Sequence, residues 1–415
     1  MRNTVVYKYI LTFILLIIGY VLFALISWCL PDVRIQKKIK ESIEMGDIEK
    51  DYPRAIVNKE ICRMDNYTDA IILNQSYNMT LMSPLTSIML NPSKGDVTSN
   101  VASLQAVVDD VDQPVNTYAR YWHGSTFLMR FLITFIGRYA NVRLFFYYVS
   151  SLLMLLLLVL LLKYSLWEIM LSLTAGFLFL QGYVTQFSIQ FFPVIIITIC
   201  GSIMTIIYRN APKKLCLLFF VVGSLTAFFD LLTTPVLTIG IPLLIYLSNS
   251  KQDSISNNCR MLVVFSTTWV CGYGFTWMTK WALATFFTPV NVFKEAFSMA
   301  TYRIGGDVFY VSDYNRFDAI LANVQKMPVL PIVIIVTAIA ICACVAFNKK
   351  DYKISLLYFV ISIIPYLWYC ILANHSYMHC WFTYRIQIIT LTSFLMAEMS
   401  LVDWPLLKRK MFSNN

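Results

Sequence analysis

Two acidic residues and one short cationic, aromatic run are where this sequence could act on a substrate. In Arg63-Met-Asp-Asn-Tyr-Thr-Asp69 the carboxylates of Asp65 and Asp69 stand four residues apart, which places them on one face if the stretch is helical. Like charges that close raise one pKa, which suits a general base. A solvated or capping pair is the plainer reading of the same spacing. Arg120-Tyr-Trp-His-Gly124 sets a cation and an imidazole beside two amphipathic aromatics. Such aromatics are ordinary at a membrane boundary, whereas Arg120 and His123 together can hold a phosphate.

Asp230, in Phe-Phe-Asp-Leu-Leu-Thr-Thr-Pro235, closes an apolar run. A carboxylate at the edge of hydrocarbon is a site candidate, or else a cap for a helix that Pro235 would begin. In Asn374-His-Ser-Tyr-Met-His-Cys-Trp-Phe-Thr-Tyr-Arg385, His375 and His379 lie one helical turn apart and Arg385 enters the next apolar run. Such a histidine pair can ligate a metal, but no Glu lies between the two and no third ligand is evident. Contact with a phosphate or sugar is expected first, and a divalent cation is the only cofactor left room for. The 10 cysteines fall mostly in apolar runs with no Cys-x-x-Cys spacing; Cys62 and Cys380, both outside those runs, could pair. With no Walker loop, Rossmann glycine pattern or Gly-x-Ser-x-Gly, ATP-driven transport and serine hydrolysis are not indicated.

These residues must be positioned by membrane helices. A chain 58% hydrophobic and 13% charged is far from a soluble globule, in which about 25% of residues are charged. Its net charge of +10 is read as basic loops beside a membrane, not as a nucleic-acid surface. Apolar runs at 9–30, 144–162, 166–185, 191–208, 215–231, 236–247, 261–280, 329–347, 354–372 and 386–401 predict an all-α, polytopic protein with about ten transmembrane helices, the first of them uncleaved. Residues 31–141 form a large first outer loop and 281–327 a second, within one membrane domain spanning 1–415. Ile35, Ile39 and Ile43 recur every fourth residue among Lys and Glu, the mark of an amphipathic surface helix.

The stretch 125–137 decides the orientation. About 13 apolar residues make roughly 20 Å of helix against a hydrocarbon core of roughly 30 Å, and Arg130 stands in the middle. It is expected not to cross. With that choice Lys163, Arg209, Lys213, Lys214, Lys251, Arg260, Lys349, Lys350, Lys353, Lys408, Arg409 and Lys410 all fall on the side of the two termini, which the positive-inside rule makes cytoplasmic. The three histidines, His123, His375 and His379, fall on the other side.

Taken together, MDNYTDAIIL, YARYWHGSTFLMRFL, FFDLLTTP and NHSYMHCWFTYR in this order resemble the GT-C superfamily of polytopic, polyprenyl-phosphate-sugar-dependent glycosyltransferases, in particular bacterial members that decorate cell-surface glycans. The family's acidic residue usually lies soon after the first helix, as Asp32 does here, and its entry motif often reads His-Pro-Pro where this chain has His-Gly-Ser. The resemblance implies an outer-face transferase of the plasma membrane, moving sugar from a polyprenyl phosphate to a cell-envelope polysaccharide or lipid-linked acceptor. On that reading Arg120, His123, His379 and Arg385 would meet the leaving phosphate, Asp65 or Asp69 would take the acceptor's proton, and the surface helices would admit the prenyl tail from membrane lipid. A transporter or flippase of lipid-linked saccharide, and a polymerase of it, are the rivals; a transporter predicts ionisable residues deep in several spans, and these spans are nearly free of them.

Overall fold

The first apolar run forms α1 (Arg2–Trp28), and Pro31, which cannot continue a helix, stands at the N-cap of α2 (Asp32–Glu44). The structure is a computed structural model and describes residues 2–54, 62–96, 98–251, 253–305, 315–347 and 352–412. Lys349, Lys350 and the middle of the second expected outer loop, 306–314, lie outside these. The stripe of α2 is as expected: Ile35, Ile39 and Ile43 are buried. They pack on protein, against α3 (Asn66–Tyr77), α5 (Asn100–Val108) and α6 (Gly124–Phe135), not against lipid. With α4 (Pro84–Leu90) and the two-residue antiparallel pair β1 (Ser93–Lys94) and β2 (Val115–Asn116), these helices make a polar layer at one end of the molecule.

The helix α6 has 12 residues and Arg130 explains why it stays in this layer. Its guanidinium is fully buried and donates from Nε to Ser27 O, from Nη1 to Ser76 O, and from Nη2 to Leu30 O and Asp32 Oδ1 at 2.7 Å. An Arg so satisfied fastens α6 across the ends of α1, α2 and α3 and never meets lipid. One end of α6 meets the end of a bundle helix and the other meets α2. At its start Ser125 Oγ donates to Phe229 O, and just beyond its end Tyr139 N donates to Ser42 Oγ of α2.

Behind the layer stands a bundle of α7 (Tyr139–Lys163), α8 (Trp167–Phe179), α9 (Phe192–Ile207), α10 (Pro212–Phe229), α11 (Leu237–Asn249) and α12 (Ile255–Phe287), followed by α13 (Val292–Gly305) and α14 (Arg316–Val324) on the polar side. The chain then continues through α15 (Val329–Val345), α16 (Tyr352–Ser362), α17 (Ile364–Ile371), α18 (Ala373–Met378), α19 (Cys380–Thr383), α20 (Ile388–Ser400) and α21 (Trp404–Phe412). Glycines let α10 and α12 touch backbone to backbone. A Cβ at Gly223 would stand 2.2 Å from Trp269 O, and one at Gly272 2.0 Å from Phe220 O. Small residues at such a crossing are the usual device for close packing in lipid.

The protein is all-helical in its membrane part, and by length and apolarity fewer than ten full-length spans stand among the described residues. Among the described residues four stretches are long and apolar enough to cross: Val6–Trp28, Tyr139–Lys163, Pro212–Phe229 and Tyr352–Ile371. The pair α14–α15, bent by 82°, makes a fifth. At 13 to 16 residues α8, α9, α11 and α20 are only about 20–24 Å long, short of a full bilayer core. Single turns and loops broke runs that the sequence presents as continuous. At the end opposite the polar layer, Lys251 pairs with Glu168, the Arg209 guanidinium lies over Tyr164, and Lys410 donates to Val345 O.

Candidate functional site

The approach to α6 is held by two aromatic donors. Trp122 Nε1 donates to Thr276 O at 2.8 Å and Trp281 Nε1 to Arg120 O at 2.9 Å, so residues 120–122 are fixed along α12. His123 takes a left-handed conformation, φ 58°, to begin the helix. Next to it Gly124 is required, because a Cβ there would stand 2.6 Å from the Phe228 ring. Arg120 is thereby set with its guanidinium 4.3 Å from the Tyr118 ring centre and Nη1 2.8 Å from Glu295 Oε1 of α13.

Beside Arg120 opens an apolar cavity of about 650 Å³. Its wall is the one face of α12 that carries Tyr273, Trp277 and Trp281 at every fourth position, closed by Tyr121, by Arg303 from α13 and by Trp368 from α17. Four of these lining residues carry a buried polar atom with no hydrogen-bond partner among the described residues: Arg120 Nε, Arg303 Nη1, Tyr273 Oη and Trp277 Nε1. Leaving one such donor unsatisfied costs about 1–3 kcal/mol, more if it is charged. All four are buried within the walls of one almost wholly apolar cavity, and two of them belong to cationic side chains.

A second cavity, of about 920 Å³ and much more polar, lies on the other side of Arg120, which lines both. Tyr67, Asn74, Lys94, Asp96, Asn100 and Tyr118 contribute to its walls. Mixed hydroxyl, amide and aromatic groups of this kind are what a saccharide meets on a protein.

The sequence candidates divide between the walls and the framework. Asp65 is the N-cap of α3, accepting from Thr68 N and Thr68 Oγ1 at 3.0 Å and from Gln190 Nε2. Asp69 accepts from Tyr139 Oη, from Ile189 N and from Gln190 N. Burial pushes Asp65 up to about 7 and Asp69 up to about 6, against the lowering effect of those same hydrogen bonds. The expected proximity is present, but both carboxylates face inward and clamp the 188–190 segment to α3.

His123 Nε2 donates to Tyr118 O at 2.9 Å, and burial together with the Lys280 charge holds its pKa down at about 3. It supports the approach to α6 as a neutral ring and does not line the aromatic cavity. Asp230 caps the turn ahead of α11, accepting from Leu232 N, Thr233 N and Thr233 Oγ1. It does not cap α11 itself, which begins at Leu237 with Val236 at its N-cap and no side-chain cap. His375 Nε2 donates to Leu232 O, and the His375 and His379 rings are 4.7 Å apart. Burial and the nearby Arg303 charge push His379 down to about 4. These two histidines and Asp230 therefore stand behind Leu232, one layer outside the aromatic cavity.

Arg385 is elsewhere: buried, its Nε donates to Gln181 O and its guanidinium lies over Tyr384. Cys62 and Cys380 are not joined in a disulfide, and Cys62 Sγ donates to Gln181 Oε1. Among the described residues no three His, Cys, Asp or Glu side chains gather as a metal would need. Arg303 and the Tyr273, Trp277, Trp281 stripe were not singled out from sequence. The four-residue aromatic spacing was a readable signal for the stripe; nothing local marked Arg303. Neither protein-family profiles, nor curated proteins, nor solved structures give a match to the chain.

Proposed function

We propose that this chain is a GT-C-type membrane glycosyltransferase that moves a sugar from a polyprenyl-phosphate donor to a cell-envelope polysaccharide or lipid-linked acceptor. The observation that carries the reading is that four side chains walling one aromatic cavity keep an unpartnered buried polar atom, Arg120 Nε, Arg303 Nη1, Tyr273 Oη and Trp277 Nε1. A prenyl chain matches the apolar wall, and its phosphate matches the donors. As the sugar leaves, negative charge grows on that phosphate, and fixed cations aimed at it lower the barrier. The donor's sugar then points past Arg120 into the polar cleft, where the acceptor is bound.

On this reading the polar layer faces outward, the Lys-rich end and both termini face the cytoplasm of the plasma membrane, and ten crossings are made with the short helices packed inside the bundle. Asp230, His375 and His379 hold the Leu232 wall, His123 sets the entrance, and Asp65 and Asp69 hold the 188–190 segment. The test is purified protein in lipid vesicles with labelled polyprenyl-phosphate sugars and a mixed glycan acceptor pool. Transfer by the wild type, lost in Arg303→Ala, supports the proposal. Movement of the lipid between leaflets without transfer makes the protein a flippase and overturns it; chain lengthening of a lipid-linked oligosaccharide makes it a polymerase.

A further inference from the structure

The transfer proposed above needs a group to take the acceptor's proton, and the buried acidic pair is already engaged. Asp32 is tied to Arg130, Asp47 stands against Arg138 and the Ala140 amide, Asp51 accepts from Val101 N, and Glu295 is paired with Arg120. Asp96 differs from all of them. It is exposed, and among the described residues it is the one carboxylate lining the polar cleft and its side chain has no hydrogen-bond or ion-pair partner.

The backbone beneath that free side chain is fixed from four directions. Asn74 of α3 grips Lys94 twice, accepting from its amide at 2.9 Å and donating to its carbonyl at 2.7 Å. Gly95 N donates to Pro114 O, Asn116 Nδ2 donates to Gly95 O, and Ser103 Oγ of α5 donates to Asp96 O. Gly95 has φ +131°, and a Cβ on it would stand 2.3 Å from Ser103 Cβ. Only glycine lets the turn close so far onto α5. A rigid turn that ends in an unpartnered carboxylate, in a cleft sharing Arg120 with the aromatic cavity, is the arrangement a catalytic group requires.

We propose that the polar cleft binds a saccharide acceptor and that Asp96 is its general base, a reading that rests on the transferase function proposed above. The acceptor's O–H proton passes to an Asp96 carboxylate oxygen as that hydroxyl oxygen bonds to the donor's anomeric carbon. The bond from that carbon to the phosphate oxygen breaks, and its electron pair leaves with the lipid phosphate toward Arg120 and Arg303.

The experiment uses the full chain in lipid vesicles with the labelled lipid-phosphate sugar that the wild type transfers, comparing wild type, Asp96→Asn and Asp96→Glu for both transfer and donor photo-crosslinking. Transfer is expected to fall about 10²–10⁴-fold in Asp96→Asn, with crosslinking unchanged and part of the rate restored in Asp96→Glu. Transfer within threefold of wild type in Asp96→Asn overturns the proposal while leaving the transferase reading in place. Loss of crosslinking along with transfer also overturns it, because the residue would then serve the donor. A wild type that transfers none of the donors removes both readings together.

Discussion

Arg120 Nη1 lies 2.8 Å from Glu295 Oε1, and this one pair ties the approach to α6 to α13, the helix that also carries Arg303. Glu295 and Arg303 are about two helical turns apart, so the pair sets the spacing of the two cations across the aromatic cavity. Removing the Arg120 guanidinium deletes a leaving-group donor. Arg120→Ala is expected to lower transfer by about 10²–10³-fold, and Arg120→Lys to restore little, since an ammonium cannot both pair with Glu295 and point a second donor elsewhere. Because the pair is partly exposed, Glu295→Gln should raise the donor KM only about two- to fivefold. Steady-state transfer rates across donor concentrations measure all three.

Arg130 is a structural prediction of the same layer. Its guanidinium serves Ser27, Leu30, Ser76 and Asp32 at once with no solvent contact. Arg130→Met leaves three carbonyls and a carboxylate without their donor, and a loss of about 3–5 kcal/mol is expected. Thermal unfolding in detergent measures it, and wild-type stability in that variant would show that the carbonyls find other partners.

The buried acids give stability a direction with pH. Burial raises Asp65 from 3.8 to about 7, so between those values the folded state holds a proton that the unfolded state has released. Stability contributed by the neutral acid is complete below 3.8 and is lost as pH climbs toward about 7. Asp65→Asn keeps the cap and cannot ionise. Its stability relative to wild type is expected to grow steadily across that window, measured as the difference in midpoint temperature from pH 4 to pH 8. A constant difference would contradict the burial argument.

The α10–α12 crossing is tight enough for one methyl to report on it. Gly272→Ala places a Cβ 2.0 Å from Phe220 O, and backbone must move to admit it. That shift displaces Tyr273 and Trp277, the next residues along the same helix. A drop in both stability and donor crosslinking is expected, whereas Gly274→Ala, which has open space around it, should leave both unchanged.

Much of this framework was legible in the chain. The burial of Ile35, Ile39 and Ile43, the short helix after His123 and the refusal of Arg130 to enter lipid all follow from local period and cost. What the chain could not display is partnership across long separations. Asp69 meets the Ile189 and Gln190 amides about 120 residues away, so a pair that reads as available is consumed. Arg303 meets Tyr121 and the α12 stripe through a fold of α13 that no local pattern specifies. Helices α8, α9 and α20 came out shorter than their apolar runs because turns within buried protein cost less than turns in lipid.

The most direct measurement is a cryo-EM structure of the protein in a lipid nanodisc containing polyprenyl phosphate. The account predicts phosphate density within hydrogen-bond reach of Arg120 Nε, Arg303 Nη1, Tyr273 Oη and Trp277 Nε1, with the first isoprene units along Trp277 and Trp281. An empty aromatic cavity at saturating lipid, or phosphate density seated at the Lys-rich end, would contradict it.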